Sequence, residues 1–359
     1  MKRLFVFLGT LLLLFSIIMS NGIISSASSK VDNVTLKNAE HFAMDYLITV
    51  SQNSFDGWKN ASLEKGKKLY DFDGNLTSYL FQVKNQGKDQ GYIIISAIPE
   101  IPGVLESTRE GSNPYVDVKE SDSIYVGPVL HFSKVDNEYA MSLSNKKVEK
   151  KSKLKSNAPL SYENIEKYAD ATSTVEPEQI GTQAVTNYKY KLISGVPDYT
   201  WDIGCAPTSG ANIVKYWDSR GYPNLVGTSQ TTHSLIDQLA TSMNTNRSTG
   251  GTSVSNMRTG MINFWGARGY GVTVTTYSGS FSTHMNEINA GRPDWVTTAN
   301  HPVWGDHAMT GVGYEEYYNT SDFTWYRQVI LHDTWSSTPV DYWIKWTSYF
   351  DYVIKVQPN

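Results

Sequence analysis

The sequence WDIGCAPTSGANIVKYW, residues 201–217, contains Cys205, the only cysteine in a chain of 359 residues. The residues after the cysteine are typical of a helix start, because Pro207 falls in the first turn, where its missing N–H costs nothing. This helix is expected to end near Gly221. A single cysteine cannot form an intrachain disulfide, so its thiol is either inert packing or a reactive group.

The position of Cys205 at a helix start favours the reactive interpretation. Sulfur at a helix N-terminus lies among unpaired N–H groups, which lower the thiol pKa from its usual value of about 8.5. A histidine brought alongside would stabilise the thiolate as an ion pair. The helix start can be read from the residues around Cys205, whereas the histidine that would pair with the thiolate has to be found among the seven in the chain.

The N-terminus indicates an exported protein. Lys2 and Arg3 precede an apolar run over residues 4–19, and small residues follow around Ala27. This layout predicts a secretory signal peptide over residues 1–29 and an extracellular protein, with an uncleaved anchor as the alternative. An unpaired thiol is unusual in an oxidising compartment, which again favours a thiol with a function.

Composition limits the classes of partner. The net charge is −4, and the C-terminal half has no polybasic patch, which argues against binding to nucleic acid. No stretch after the signal peptide is apolar enough for stable membrane insertion. The chain is long enough for two domains with sizeable cores.

Two units and a linker are predicted. Residues 30–148 combine one helix with an apolar stripe and several turn-bounded strands, which indicates an α+β unit. Residues 149–185 begin in a Lys-rich stretch, NKKVEKKSKLKSNAPLS (residues 145–161), and form either an ordinary linker or a protease-sensitive joint. Residues 186–359 place helices first and strands last, so the expected class is again α+β.

Among seven histidines, His307 is the best candidate partner for the thiol. It opens the strand HAMTGVGYEEY, and the strand TWYRQVILHDTW follows after a turn centred near Thr320. A hairpin folded there pairs residues whose numbers sum to about 640, which sets His307 opposite Asp333. The carboxylate would then orient the imidazole, although a slip of one residue would turn one of them away. His332 would face the other way and is interpreted as a hydrogen-bonded structural histidine.

A metal or cofactor site is not expected. The chain has one cysteine and neither an HExxH nor a CxxC pattern, whereas zinc sites need three or four closely spaced ligands. The stretch STGGTS before a helix lacks the lysine of a phosphate-binding loop.

The motifs GCAPTSGANIVKYW, GDHAMTGVGY and LHDTW, in this order, resemble the papain-like cysteine peptidases. The likeness is greatest to bacterial secreted domains related to the bacteriocin-leader-processing peptidases, which carry a segment similar to EINAGRPDWV (residues 287–296). YLFQVKNQGKDQGYIIISAIPEIPGVLEST (residues 79–108) resembles the inhibitory pro-region of streptopain-type enzymes.

The resemblance implies a papain-like fold and a Cys205–His307–Asp333 triad, with Trp335 shielding the third residue from water. It also implies a glutamine six residues before the cysteine as an oxyanion donor, but this chain has Tyr199 there. Tyr199 or the Trp201 indole is a candidate replacement.

The sequence therefore predicts a secreted thiol peptidase (a hydrolase) that is made as a zymogen, with its N-terminal domain as an intramolecular inhibitor. Its substrate would be a peptide or protein. The alternatives are a thiol-dependent cell-wall amidase or transpeptidase, and a non-catalytic secreted binding module on the same fold.

Overall fold

The computed structural model describes residues 33–155, 158–160, 185–301, 304–320 and 324–359. The predicted signal peptide and most of the predicted linker lie outside the described residues. The described residues between 33 and 359 form one compact unit. The predicted boundaries at 148 and 185 stay a prediction.

Six α-helices are present in the described part of the chain. Their bounds are α1 (Leu36–Asn53), α2 (Lys151–Lys155), α3 (Cys205–Asp218), α4 (Thr232–Ser242), α5 (Val254–Gly266) and α6 (Phe281–Asn289). The side chains of Thr231, Ser253 and Ser280 each accept the N–H three residues on, as capping residues do at a helix start. The helices predicted in the C-terminal half are therefore confirmed.

Sixteen strands form one sheet in the residues that the structure describes. The first nine are β1 (Ser62–Leu63), β2 (Lys67–Tyr70), β3 (Leu76–Asn85), β4 (Lys88–Ser96), β5 (Val104–Ser107), β6 (Ser123–Tyr125), β7 (His131–Lys134), β8 (Tyr139–Ser142) and β9 (Val148–Lys150). The others are β10 (Val185–Leu192), β11 (Val272–Ser278), β12 (Asp294–His301), β13 (Gly305–Asn319), β14 (Thr324–His332), β15 (Tyr342–Lys345) and β16 (Phe350–Pro358).

The sheet runs in the order β11-β16-β12-β13-β14-β15-β5-β4-β3-β2-β6-β7-β8-β9, while β1 pairs with β3 and β10 with β13. These pairs are antiparallel except for β2 and β6, so the sheet is mixed. The predicted α+β class is confirmed, and the architecture is compatible with a papain-like peptidase. In the C-terminal half, strands β10, β11 and β15 were not predicted.

Helix α3 packs against the sheet through close backbone contact and buried hydrogen bonds. A Cβ atom at Gly210 would lie 2.8 Å from the Trp295 ring, so only glycine permits this approach. The Trp295 indole donates to the Ser209 hydroxyl at 2.8 Å, and the Asn212 amide donates to Thr310 Oγ1 at 3.1 Å. Thr310 in turn donates to the Ser209 carbonyl at 3.1 Å. These bonds fix the axis of α3, and therefore Cys205, relative to β12 and β13.

The N-terminal strands join the C-terminal strands through a strand pair and a buried ion pair. Strand β5 pairs with β15, which continues one sheet across the two halves. Behind this pair, the Arg109 guanidinium forms a buried ion pair with Glu315 at 3.0 Å. Arg109 also lies 4.4 Å from the centroids of both the Trp58 and Trp343 rings. The two halves therefore share buried charge as well as apolar surface.

None of the described helices is both long and apolar enough to cross a membrane.

The buried ion pair predicts the stability of this junction. Arg109→Met leaves the Glu315 carboxylate in the core without its partner, and we expect the free energy of unfolding to fall by about 3 kcal/mol. Equilibrium urea unfolding of the full chain measures this change. Arg247→Met is the matched control, because Arg247 pairs with Asp237 at the surface and its loss should change little. Equal losses in the two variants would contradict a structural role for the buried pair.

Candidate active site

Cys205 is the first residue of α3, and its side chain is partly buried. Burial raises the pKa of the thiol, and the N–H groups of Ala308, Ala206 and Cys205 itself oppose this rise. The helix N-terminus thus acts on sulfur in the predicted direction, but burial outweighs it. The contribution of Ala308 places the sulfur near the N–H of this β13 residue, which follows His307 in the chain.

The backbone on both sides of the site is held in an unfavourable conformation. Ile203, two residues before Cys205, has φ +63°, and Thr334 has φ +70°. Both are β-branched residues, for which a positive φ is a true outlier. The two segments are tied together, because the Trp201 N–H donates to the Thr334 carbonyl at 2.7 Å. Strain of this kind persists only where the surrounding structure over-determines it, and it is common at active sites.

His307 lies on β13 opposite Thr298 of β12 and is 9% exposed. Its Nε2 donates to the main-chain carbonyl of Asp333 at 2.9 Å. Burial lowers the pKa of the imidazole, and this carbonyl opposes the shift. In the neutral ring Nδ1 is then the nitrogen with a free lone pair, and it has no hydrogen bond to a described residue. His307 is therefore set up as a proton acceptor through Nδ1.

Cys205 and His307 lie in the wall of one cavity of about 320 Å³. Part of the wall is apolar, formed by Ala206, Val254, Met257 and Ala308. Polar residues line another part, among them Thr297 and Thr298. This volume lies at the lower end of the range of ligand-binding pockets, about 300–1,000 Å³.

The Asp333 carboxylate does not make the contact with His307 that the sequence predicted. The hairpin of β13 and β14 pairs residues whose numbers sum to 642 or 643, and pairing ends at Thr310↔His332. Asp333 thus follows the strand end, and its carbonyl rather than its side chain reaches the imidazole. Its Oδ1 instead accepts the Trp335 N–H at 2.9 Å and the Thr338 hydroxyl at 2.6 Å.

The other oxygen of Asp333, Oδ2, is buried without a hydrogen bond to a described residue. Burial raises the pKa of this carboxyl to about 7, and the contacts with Thr338 and Trp335 only partly offset the rise. Below that pH the side chain is neutral, so it carries no charge with which to stabilise an imidazolium.

The Trp335 ring covers the imidazole of His307. The two ring centroids are 6.0 Å apart and the planes are inclined by 60°. The Trp304 ring in turn packs against the Trp335 ring, and the two ring centroids are 6.5 Å apart. This aromatic wall excludes water from one side of the imidazole.

Neither candidate oxyanion donor lies in the wall of the cavity that holds Cys205. The Tyr199 hydroxyl bonds to Thr232, and Tyr199 lines a separate cavity. The Trp201 indole is 47% exposed and packs over Gly250. The assignment of Tyr199 and Trp201 as donors is therefore not supported.

The interpretation of His332 as a structural histidine is confirmed. Its Nδ1 bonds to the Pro197 carbonyl at 2.9 Å and its Nε2 to Asp341 at 3.1 Å. In the described part of the chain, no three His, Cys, Asp or Glu side chains are grouped so as to hold a metal ion.

Residues 183–353 match the model of a family described as Peptidase_C39 like family. No curated protein matches the chain. This match supports a C39-type cysteine peptidase, which is a hydrolase with a protein or peptide substrate. It covers the described helices and strands that hold Cys205 and His307.

Asp333 predicts a pH dependence of stability. Its pKa is about 7 in the folded chain and near the ordinary 3.8 in the unfolded chain, so the folded state binds the extra proton between these values. Stability should therefore fall as pH rises from about 4 to about 7, by up to about 4 kcal/mol. Asp333→Asn removes this contribution, and we expect the variant to gain stability relative to the native chain between pH 5 and pH 8.

Urea unfolding of both proteins at several pH values measures the difference. The exposed Asp117→Asn variant serves as the control. A difference between Asp333→Asn and the native chain that stays constant with pH would contradict a buried, protonated carboxyl.

Proposed function

We propose that this protein is a secreted cysteine peptidase that hydrolyses peptide bonds through Cys205 and His307, with Asp333 orienting the imidazole. The observation that carries the proposal is that the thiol and a neutral imidazole share the wall of one cavity. Nε2 of this imidazole donates its hydrogen bond to the Asp333 carbonyl, which leaves Nδ1 as the basic nitrogen.

The reaction follows from these positions. His307 Nδ1 takes the proton of the Cys205 thiol as sulfur attacks the carbonyl carbon of the scissile bond. The protonated imidazole then gives this proton to the nitrogen of the leaving amine as the C–N bond breaks, and a thioester remains on sulfur. Water attacks the thioester with His307 as base, and the acid and the free thiol are released.

Asp333 serves the triad through its main chain in this proposal. The carbonyl holds the Nε2–H and stabilises the ring when it becomes positively charged. The carboxyl group supports the turn that presents this carbonyl, through its bonds to Trp335 and Thr338. Trp335 keeps water away from the imidazole.

The oxyanion is stabilised less than in enzymes with a side-chain donor. The N–H of Cys205 is one donor, and the residue that stands in the place of the usual glutamine, Tyr199, does not line the cavity. Loss of one donor typically removes about 3–4 kcal/mol of transition-state stabilisation. We therefore propose a slow peptidase.

Secretion and processing are further parts of the proposal. Residues 1–29 have the layout of a signal peptide, and the Lys-rich start of residues 149–185 is a suitable place for a processing cut. Inhibition by the N-terminal unit has support only from its resemblance to streptopain-type pro-regions. None of the described residues before 185 lines the cavity that holds the thiol. The N-terminal mass of the secreted protein tests the processing.

Selective alkylation tests the thiol. We expect iodoacetamide to modify Cys205, and turnover of peptides to be lost in Cys205→Ala. In His307→Ala, peptide turnover should fall by about 10²-fold or more, because the proton acceptor is gone. His41→Ala is the control, since His41 is exposed and lies outside the cavity. Unchanged peptide turnover in His307→Ala would contradict the proposal.

The role of Asp333 makes a separate prediction. Since the imidazole contacts its main-chain carbonyl, Asp333→Asn should keep kcat/KM within about tenfold of the native value. Loss of a carboxylate that contacts the histidine directly costs about 10⁴-fold in the best-studied triad. Steady-state kinetics on one peptide substrate distinguish the two cases, and a loss of that larger size would mean that the carboxylate itself acts on His307.

A further inference from the structure

Two carboxylates, those of Asp306 and Asp351, line the cavity that holds Cys205 and His307. Asp306 directly precedes His307 in the chain. Asp351 lies on β16, two strands away from His307, at a spacing of about 10 Å across the sheet. His307, which is nine-tenths buried, also lines this cavity, and its Nδ1 has no hydrogen bond to a described residue, so the cavity contains a buried polar side chain with an unused nitrogen besides the two acids.

A β-bulge brings Asp351 into the cavity. Thr297 pairs with Tyr352 and Thr298 pairs with Phe350, so Asp351 is the extra residue between them. A bulged residue is released from the regular alternation of side chains and is turned to a new direction. The Thr297 hydroxyl donates to Asp351 Oδ1 at 2.5 Å, which fixes the carboxylate and leaves Oδ2 without a hydrogen bond to a described residue.

Asp306 is held in a similar way at the exposed edge of the cavity. Its Oδ1 accepts the N–H of Asn300 at 2.9 Å. Asn300 has φ +51°, a conformation that asparagine adopts more readily than most residues. Each carboxylate is thus oriented through one oxygen, and the other oxygen remains available.

No cation in the described part of the chain neutralises these two carboxylates. The side-chain contacts of Asp306 and Asp351 are hydrogen bonds to Asn300 and Thr297, neither acid pairs with a described cation, and no described lysine or arginine lines the cavity. The remaining wall combines hydroxyl groups with the apolar side chains of Val254 and Met257. The cavity therefore offers an apolar surface for a carbon chain and two negative charges for its end.

We propose that this cavity selects a lysine or arginine side chain of the substrate, from a residue close to the scissile bond. Its aliphatic stem packs against Met257 and Val254, and its charged head meets Asp351 and Asp306. A long cationic side chain carries both of these properties. The inference rests on the proposed peptidase function and adds a substrate class to it.

Matched peptides test this selection. A peptide set carries lysine, norleucine or glutamate at each position near the scissile bond, and norleucine has the stem of lysine without the charge. For the full-length protein we expect kcat/KM at one position to be about tenfold higher for lysine than for norleucine, and lowest for glutamate. In Asp351→Asn the ratio of lysine to norleucine should fall toward one.

Asp117→Asn is the control variant, because it removes one negative charge from an exposed position outside the cavity. Asp117→Asn should keep the native ratio of kcat/KM for the lysine peptide to kcat/KM for the norleucine peptide. Equal cleavage of lysine and norleucine peptides by the native protein would overturn the proposed selectivity and leave the peptidase standing. Cleavage of none of the peptides would overturn the peptidase function and the selectivity together.

Charged thiol reagents give a readout that needs no turnover. A cationic and an anionic methanethiosulfonate are compared for their rates with Cys205, each normalised to its rate with a free small thiol. The native protein should favour the cationic reagent by about tenfold, and this preference should shrink in Asp351→Asn but not in Asp117→Asn. An equal normalised rate for the two reagents would overturn the negative character of the cavity.

Discussion

The active-site geometry depends on the buried hydrogen bonds that fix helix α3 to the sheet. Trp295 donates to Ser209, and Thr310 links the Ser209 carbonyl to the Asn212 amide. Each of these four residues is fully buried, so their polar groups would lose both water and partners if the helix moved. The sulfur of Cys205 is thereby held near the N–H of Ala308, the residue that follows His307 in the chain.

The sequence predicted those parts of the site that depend on local chemistry. Pro207 after Cys205 marks the first turn of α3, and the side chains that cap α4 to α6 can be read in the same way. His307 was found because it lies at the start of a strand, shortly after a glycine, and this strand forms a hairpin with the next one. These signals arise within a few residues, which is the range over which propensity and side-chain period act.

The sequence could not predict features that depend on register and burial. The shift between Gly311 and Gly313 moves the hairpin pairing, and strand β14 ends at His332, so Asp333 meets His307 through its carbonyl. Burial reverses the expected fall in the thiol pKa of Cys205. The bulge that turns Asp351 into the cavity has no glycine or proline to mark it. Each of these outcomes depends on packing between segments that are distant in the sequence. Such packing leaves no local pattern that could be read from one sequence.

The central claim is that Cys205 forms a covalent thioester with the acyl part of a peptide while His307 carries the proton. Mass spectrometry of the full-length protein, quenched in acid during turnover of a slow ester or peptide substrate, tests this claim most directly. The account predicts an added mass equal to the acyl group on the fragment that contains Cys205, removable by hydroxylamine and absent in His307→Ala. Peptide cleavage that proceeds in Cys205→Ala, or an acyl group found on another residue, would contradict it.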